Sequence, residues 1–345
     1  MMNASAQEFC VFLEVLRISS PTRAITASAI ATSIFNALTA SVAIVGNMLM
    51  LYVFWNFKRL QTPSNLLLAS LCVTDFITGA IVQPLTITRR LLEANGAHNC
   101  QIRAVCAYNA FLCIGVSIQS IAVVSIDRCV AIKMPFRYAN IASVTRYFWI
   151  VIVYWILWAV FISMPFTNIL DASQFFIGIA VLICIDIAVV LLCYGQIFAV
   201  VLSHRKRIHQ QTPRQNHLGK GVDNRENNTN TIAIVILVML ICYLPLLPLL
   251  AFRGIAGDKV NVVYVLDAWA DVFVYACSSV NPLIYWYRSK EIKNAVHTVL
   301  KRWKLLKSSN HSETSRRTRR EEIPFSISYK KSDQRHVCEH GNGRI

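Results

Sequence analysis

Apolar residues in this chain come in long unbroken runs, not at the one-in-three-or-four spacing of a helix lying on a soluble core. Residues 24–57, 104–126, 147–170 and 229–252 contain no charged side chain. A bilayer core of ~30 Å is crossed by about 20 apolar residues of helix, and each run meets that length. Three more runs differ only by internal acids: 61–88 holds Asp75, 172–203 holds Asp186, and 260–287 holds Asp267 and Asp271. The pattern predicts an all-α membrane protein of seven transmembrane helices, at about 27–55, 63–90, 100–133, 146–166, 174–204, 227–252 and 260–286. Beyond them Ile292, Val296, Val299 and Leu300 recur among Lys and Arg. That spacing predicts an amphipathic eighth helix at about 288–303, on a membrane surface. The chain then divides into an N-terminal segment 1–26, a bundle 27–286, the eighth helix within 287–303 and a tail 304–345. The tail is polar and charged and is expected to be disordered. The connection 205–226 is basic and rich in Asn and Gln. No internal repeat and no paired broken helices of the transporter kind are visible.

Composition sharpens this picture. Of 345 residues, 55% are hydrophobic and 15% charged, against about a quarter charged in a soluble domain. There is too little polar surface to wrap seven buried helices in water. Seven spans put the two termini on opposite faces. Arg17, Arg23, Arg89, Arg90, Arg103, Arg253 and Lys259 lie on one face, leaving 27 of the 34 Lys and Arg on the other. Cytoplasmic loops carry the excess of Lys and Arg, so the N-terminus is expected outside the cell and the tail in the cytoplasm. The net charge of +16 then reflects topology and attraction to anionic membrane lipid, and nucleic-acid binding is not needed to explain it. Residues 9–16 are too short and too interrupted for a cleavable signal peptide, so the first span is expected to direct insertion. Asn3-Ala4-Ser5 is a glycosylation sequon on the outer side, whereas Asn310-His311-Ser312 falls in the cytoplasm. Most of the eleven cysteines sit inside spans as small apolar residues. Cys10, Cys100 and Cys106 lie near the outer face, where oxidation is permitted. Cys100 or Cys106 can pair with Cys10 or stay free.

Certain residues recur in a telling order. Gly46-Asn47 lies in the first span, Leu71-Cys72-Val73-Thr74-Asp75 in the second and Asp127-Arg128-Cys129 at the inner end of the third. Trp155 follows in the fourth, Tyr194 in the fifth, Cys242-Tyr243-Leu244-Pro245 in the sixth and Asn281-Pro282-Leu283-Ile284-Tyr285 in the seventh. Each is weak alone. Together, on successive spans, they resemble the landmark motifs of rhodopsin-class (class A) G-protein-coupled receptors over about 27–303. Those motifs are Gly-Asn, Leu-Ala-x-x-Asp, Asp-Arg-Tyr, a lone Trp, a lone Tyr, Cys-Trp-x-Pro and Asn-Pro-x-x-Tyr.

The residues carry chemistry of their own. An ionisable group at mid-membrane is expensive and usually marks function. Asp75, Ser117, Ser278 and Asn281 are hard oxygen ligands, suited to a small hard cation or a water cluster. The alternative is a protonated, structural Asp75. The resemblance implies a sodium site from Asp75, Ser117 and Asn281, with Ser278 and Asn47 beside them. No other cofactor or metal is expected. On the third span Ala110, Ile114, Ser117, Ile121 and Arg128 fall on one stripe, Ser117 and Arg128 about three turns apart. The resemblance implies an off state in which Asp127 holds Arg128. In the on state Arg128 moves towards Tyr194 and Tyr285, opening a G-protein cavity, with Asn281 and Pro282 in the same switch. The plain alternative is an arginine that only reaches to the interface. Many relatives pair this arginine with an acid on the sixth span; Arg225 stands there, so higher basal activity is expected.

Four departures bear on ligand and mechanism. Asp186 replaces the fifth-span proline, which predicts a straighter helix. Asp186 is expected to act as a protonated structural residue or in switching. Tyr243 and Met239 replace the Trp and Phe of the usual transmission set, to which the resemblance also assigns Pro245 and Ile118. The second outer loop, about 167–173, is short and lacks cysteine, and Arg103 stands where the third-span cysteine is expected, so the usual bridge cannot form. Melanocortin, cannabinoid and lysophospholipid receptors share that absence, a loose affinity. Ligand markers are absent too: Ala110 stands at the amine-binding acid and Tyr275 at the retinal lysine.

The ligand pocket is therefore placed by position. Asp267 and Asp271 are four apart on one helical face, Tyr264 and Tyr275 extend it, and Arg89, Arg90, Arg103 and Arg253 rim the same mouth. Ala110 and Phe111 face it from the third span. The acids are either solvated helix ends or partners of a basic ligand group. The chain is expected to be a plasma-membrane receptor for an extracellular ligand that activates a heterotrimeric G protein and is handled by arrestin and a receptor kinase through tail residues such as Ser308, Ser309, Ser312, Thr314 and Ser315. No hydrolase, phosphate-loop or metal-protease pattern is present, so it is not expected to be an enzyme. The alternatives are a receptor-like protein that binds without signalling and a transporter.

Overall fold

A computed structural model describes residues 22–167, 172–211, 241–242 and 260–303. The sixth-span residues Met239, Tyr243 and Pro245, together with Arg225, Arg253, Asn3, Cys10 and the tail, lie outside the described residues. Outer and inner below follow the orientation expected from the Lys and Arg distribution.

Helices are labelled in chain order: α1 Arg23–Asn56, α2 Pro63–Ala94, α3 Cys100–Lys133, α4 Pro135–Ile141, α5 Val144–Ser163, α6 Ala172–Gln211, α7 Val260–Arg288 and α8 290–303. Thus α5, α6 and α7 are the fourth, fifth and seventh spans. Among the described residues six helices are long and apolar enough to cross a membrane, and all regular structure is helical.

Local chemistry sets the helix ends. The side chains of Thr22, Thr62, Asn99 and Ser143 accept backbone N–H groups at the starts of α1, α2, α3 and α5; such N-caps satisfy donors that the helix itself leaves unpaired. Ser289 does the same for α8, accepting from Ile292 N at 3.3 Å. Gly96, at φ 76°, ends α2: Gly96 N donates to Glu93 O and Ala97 N to Leu92 O, at 3.0 and 2.9 Å. This left-handed stop suits glycine.

Three differences from the sequence-based expectation have physical causes. The fifth span runs to Gln211 rather than 204, because the polar residues 205–211 continue the helix past its apolar part. It is one uninterrupted helix through Asp186, where no proline removes a backbone donor. A short helix, α4, fills the inner connection after α3, started by Pro135 in its first turn. Finally, α2 holds a π-turn at Thr78–Val82, closed by Gln83 N on Thr78 O. Pro84 has no N–H to donate to the turn below, and a wide turn is one way to absorb that. One extra residue rotates everything beyond it by about 100° relative to an unbroken helix.

Burial is inverted relative to a soluble protein. Ile34, Leu38, Val45, Leu157, Ile177 and Leu192 are exposed, whereas Thr32, Asn36, Asn47, Thr74, Asp75, Gln83, Ser120 and Asn281 are buried. Lipid tails solvate the apolar exterior, so polar groups gather where they find one another. α1 packs on α7 and α2, while α3 packs on α2, α5 and α6. Small residues permit the close approaches. A Cβ on Gly46 would lie 3.0 Å from Pro282 Cγ, and one on Gly115 would lie 1.7 Å from Trp158 Cε2. Trp158 also donates its indole N–H to Phe111 O at 2.8 Å.

Candidate functional site

Three polar clusters lie between the helices. The outer one joins α2, α3 and α7. Arg90 Nη2 lies 2.7 Å from Asp267 Oδ2 and 2.7 Å from Asp271 Oδ2, and Arg89 Nη2 lies 3.2 Å from Asp271 Oδ2. Arg103 Nη2 pairs with Glu93 Oε1 at 2.7 Å. Tyr264 donates to Glu93 Oε2 at 2.8 Å, and its ring lies 4.7 Å from the Arg90 guanidinium. Residues the sequence placed around one mouth do meet here. They are not solvated helix ends, however: Asp267 is 3% exposed and Arg90 1%. A mid-bundle charge can persist only when paired and hydrogen-bonded, and these are. Glu93 was missed; its signal is an acid three and four residues past two arginines on one helix. Beside the cluster, Tyr275 packs with Val82, Cys113 and Val274, against which Ala110 and Ile114 lie. Phe111 points instead to α6, its ring 5.7 Å from that of Phe175.

The middle cluster surrounds Asp75, which is 1% exposed. Asn281 Nδ2 donates to Asp75 Oδ2 at 2.8 Å. Asn47 Nδ2 donates to Ala43 O and Ser278 O, each at 2.9 Å, stitching α1 to α7. Ser117 Oγ is 2.9 Å from Thr74 Oγ1. The amide oxygens of Asn47 and Asn281 are buried without a hydrogen-bond partner. One carboxylate and two unpartnered amide oxygens form a donor set of the kind a hard cation prefers. Next to it, the Tyr154 hydroxyl bridges Ser70 and Ser120 at 2.7 and 3.0 Å, and Trp155 donates to Ser70 at 3.0 Å. That junction of α2, α3 and α5 was not anticipated beyond Trp155.

The inner cluster centres on Asp127. Its carboxylate accepts from Ser64 Oγ at 2.8 Å, from Tyr138 OH at 2.9 Å and from Tyr147 OH, and Arg128 Nε donates to it at 2.8 Å. Arg128 Nη2 also contacts Ser64. The hydroxyls of Tyr194 and Tyr285 are buried without a hydrogen-bond partner. Ser64, Tyr138 and Tyr147 were missed, since nothing in the span pattern says which inner connection folds back over α3. Of the transmission residues, Ile118 packs with Phe175, Ile179 and Ile183 of α6, and Asp186 is half-buried one turn further along that helix.

Cys100 is disulfide-bonded, its partner outside the described residues, and Cys106 is free and close to Thr86 at 3.3 Å. Among the described residues no group of three or more His, Cys, Asp or Glu is placed to hold a metal ion.

The chain matches the family described as "7 transmembrane receptor (rhodopsin family)" over residues 46–175 and 167–285. It is similar to adenosine receptor A2a of Canis lupus familiaris, 32% identical over 118 residues, covering 34% of this chain and 28% of that protein. Adenosine receptor A2b of Rattus norvegicus is 33% identical over 118 residues, 34% of this chain and 35% of its own length. A probable G-protein coupled receptor, No18, of Amphibalanus amphitrite is 32% identical over 126 residues, 36% of this chain and 32% of its own. The chain thus matches only about a third of the length of these relatives.

Proposed function

The chain belongs to the rhodopsin family of seven-transmembrane receptors, and from that premise we propose that it takes an extracellular ligand at its outer end and activates a heterotrimeric G protein at its inner end. The observation that carries this reading is the state of Arg128. It sits at the inner end of α3, held by a carboxylate with four hydrogen-bonding neighbours, while two tyrosine hydroxyls on α6 and α7 lie buried without partners. Such an arrangement has a second position for the arginine, and a ligand that binds one state better shifts the balance between them. The ligand is not transferred from the relatives, whose names differ in what they bind. The test is a panel of G-protein dissociation sensors in cells expressing the chain, screened against extracellular extracts and small-molecule libraries. The reading predicts a response that Arg128→Ala removes while surface expression persists. Surface-expressed protein that never moves any sensor, with or without ligand, supports a binding protein instead.

The same reading places sodium at Asp75, Asn281, Ser117, Ser278 and Asn47. The protein's own residues would hold the ion between α1, α2, α3 and α7 and so tie those helices together. It also puts the N-terminus outside the plasma membrane, anionic lipid against the basic inner face, and arrestin and receptor kinase on the tail.

A further inference from the structure

The outer cluster is short of acceptors, not of donors. Arg90 spends a single nitrogen, Nη2, on both Asp267 and Asp271. Its Nε and Nη1 are buried without a partner, and so is Arg89 Nε. Asp271 Oδ2 is shared between the two guanidiniums. A buried donor left without an acceptor has lost its hydration and gained no bond in return. A basic group brought to Asp267 or Asp271 would find Oδ2 of each already engaged and would add a cation beside two arginines. An oxygen acceptor would supply what is missing, and a planar guanidinium matches carboxylate and phosphate two bonds at a time.

We propose that Arg89 and Arg90 recognise an oxyanion, a carboxylate or a phosphate, carried on an apolar body. This rests on the receptor reading above and names the chemical class of its ligand. The way in is the edge formed by Arg89 and Asp271, whose side chains are each 19% exposed, against 2% for Arg90. Deeper along the same helices the cluster is floored by Val82, Cys113, Val274 and Tyr275, an apolar group that is itself packed and buried. The three arginines and three acids balance in formal charge. Selection therefore rests on undirected donors rather than on a net positive field.

The test uses the full-length protein in phosphatidylcholine nanodiscs, with octyl phosphate, octanoate, octylammonium and octanol as probes below their micellar concentrations. Ligand binding to the folded state raises its unfolding temperature in a saturable way. Octyl phosphate and octanoate are expected to do so, octylammonium and octanol not, and Arg89→Gln is expected to abolish the shift. If that variant does not fold, Arg89→Lys replaces it; it keeps the charge, loses the planar fork, and is expected to weaken half-saturation by at least about tenfold. No saturable shift with either oxyanion, an equal shift with octylammonium, or an undiminished shift in the Arg89 variant overturns the proposal. Nanodiscs containing phosphatidic acid identify the source. Competition between that lipid and octyl phosphate assigns the site to a membrane headgroup, and its absence, with octyl phosphate still binding, to a free ligand; both support oxyanion recognition. Nucleotide exchange on purified G protein is followed in parallel. Oxyanion binding in a protein that no ligand makes signal overturns the receptor reading alone. Signalling by a ligand without an acid group, in a protein blind to oxyanions, overturns this proposal alone.

Discussion

The outer and inner ends of this bundle use the same two side chains in opposite arrangements. In the Arg90–Asp271 pair at the outer end the arginine is the buried partner: the side chain of Arg90 is 2% exposed, while Asp271 opposite it is 19% exposed. At the inner end the acid is buried, with Asp127 2% exposed and Arg128 24%. The half-exposed member is the one that can exchange partners, because water or an incoming group can take it over at lower cost. The outer end is thus arranged to exchange an acceptor around a fixed cation. At the inner end the fixed member is the anion, held by two tyrosines and a serine.

The largest effect expected from breaking this contrast is at Arg90. Arg90→Ala leaves Asp267 and Asp271 competing for Arg89 in a low-dielectric site, and losing one member of a buried ion pair costs ~3–5 kcal/mol. Thermal unfolding in detergent and surface expression should both fall sharply. A variant as stable as the wild type would show that the outer cluster is solvated after all.

Next is Gly115→Ala, which touches neither cluster. Its Cβ would collide with the indole of Trp158 at 1.7 Å, and overpacking typically costs ~1–3 kcal/mol. The same unfolding assay should place it above Arg90→Ala but clearly below wild type. Trp158→Phe in the same chain should recover part of the loss, and failure to do so would point away from a clash between α3 and α5.

Asp127→Asn should cost less in stability, about 1 kcal/mol, since the amide keeps neutral hydrogen bonds and Arg128 reaches solvent. It should act on the switch instead: basal nucleotide exchange on G protein rises several-fold. Unchanged basal exchange, at equal expression, would mean that Asp127 does not restrain Arg128. The smallest effect is expected from Asp271→Asn, because Asp267 still holds Arg90 and the Asn amide oxygen can still accept from the guanidiniums. A loss as large as that of Arg90→Ala would erase the distinction between fixed and exchangeable partners.

Spans and motifs were legible because they are local. A charge-free run long enough for a bilayer can be counted, and the helix Cys100–Lys133 contains the run 104–126. The apposition of Asp75 with Asn281 was legible through the resemblance, not through spacing. Illegible were the π-turn at Thr78–Val82, the tyrosines that fold onto Asp127 and the hydroxyl junction at Tyr154. Each depends on which faces of two helices meet, and a helix carries no local mark of its neighbour's rotation.

The amino-acid order by itself determined that the chain crosses a membrane, where each described span lies, and that ionisable residues sit at its outer, middle and inner levels. Hydrophobic length and helical period suffice for that, because both act within a few turns of the chain. Only the tertiary structure decided that Arg90 rather than Arg89 is sealed in and that its carboxylates come from residues 177 and 181 positions away. Pairing over that distance is set by how helices rotate and pack against one another, and no short stretch of sequence contains that information.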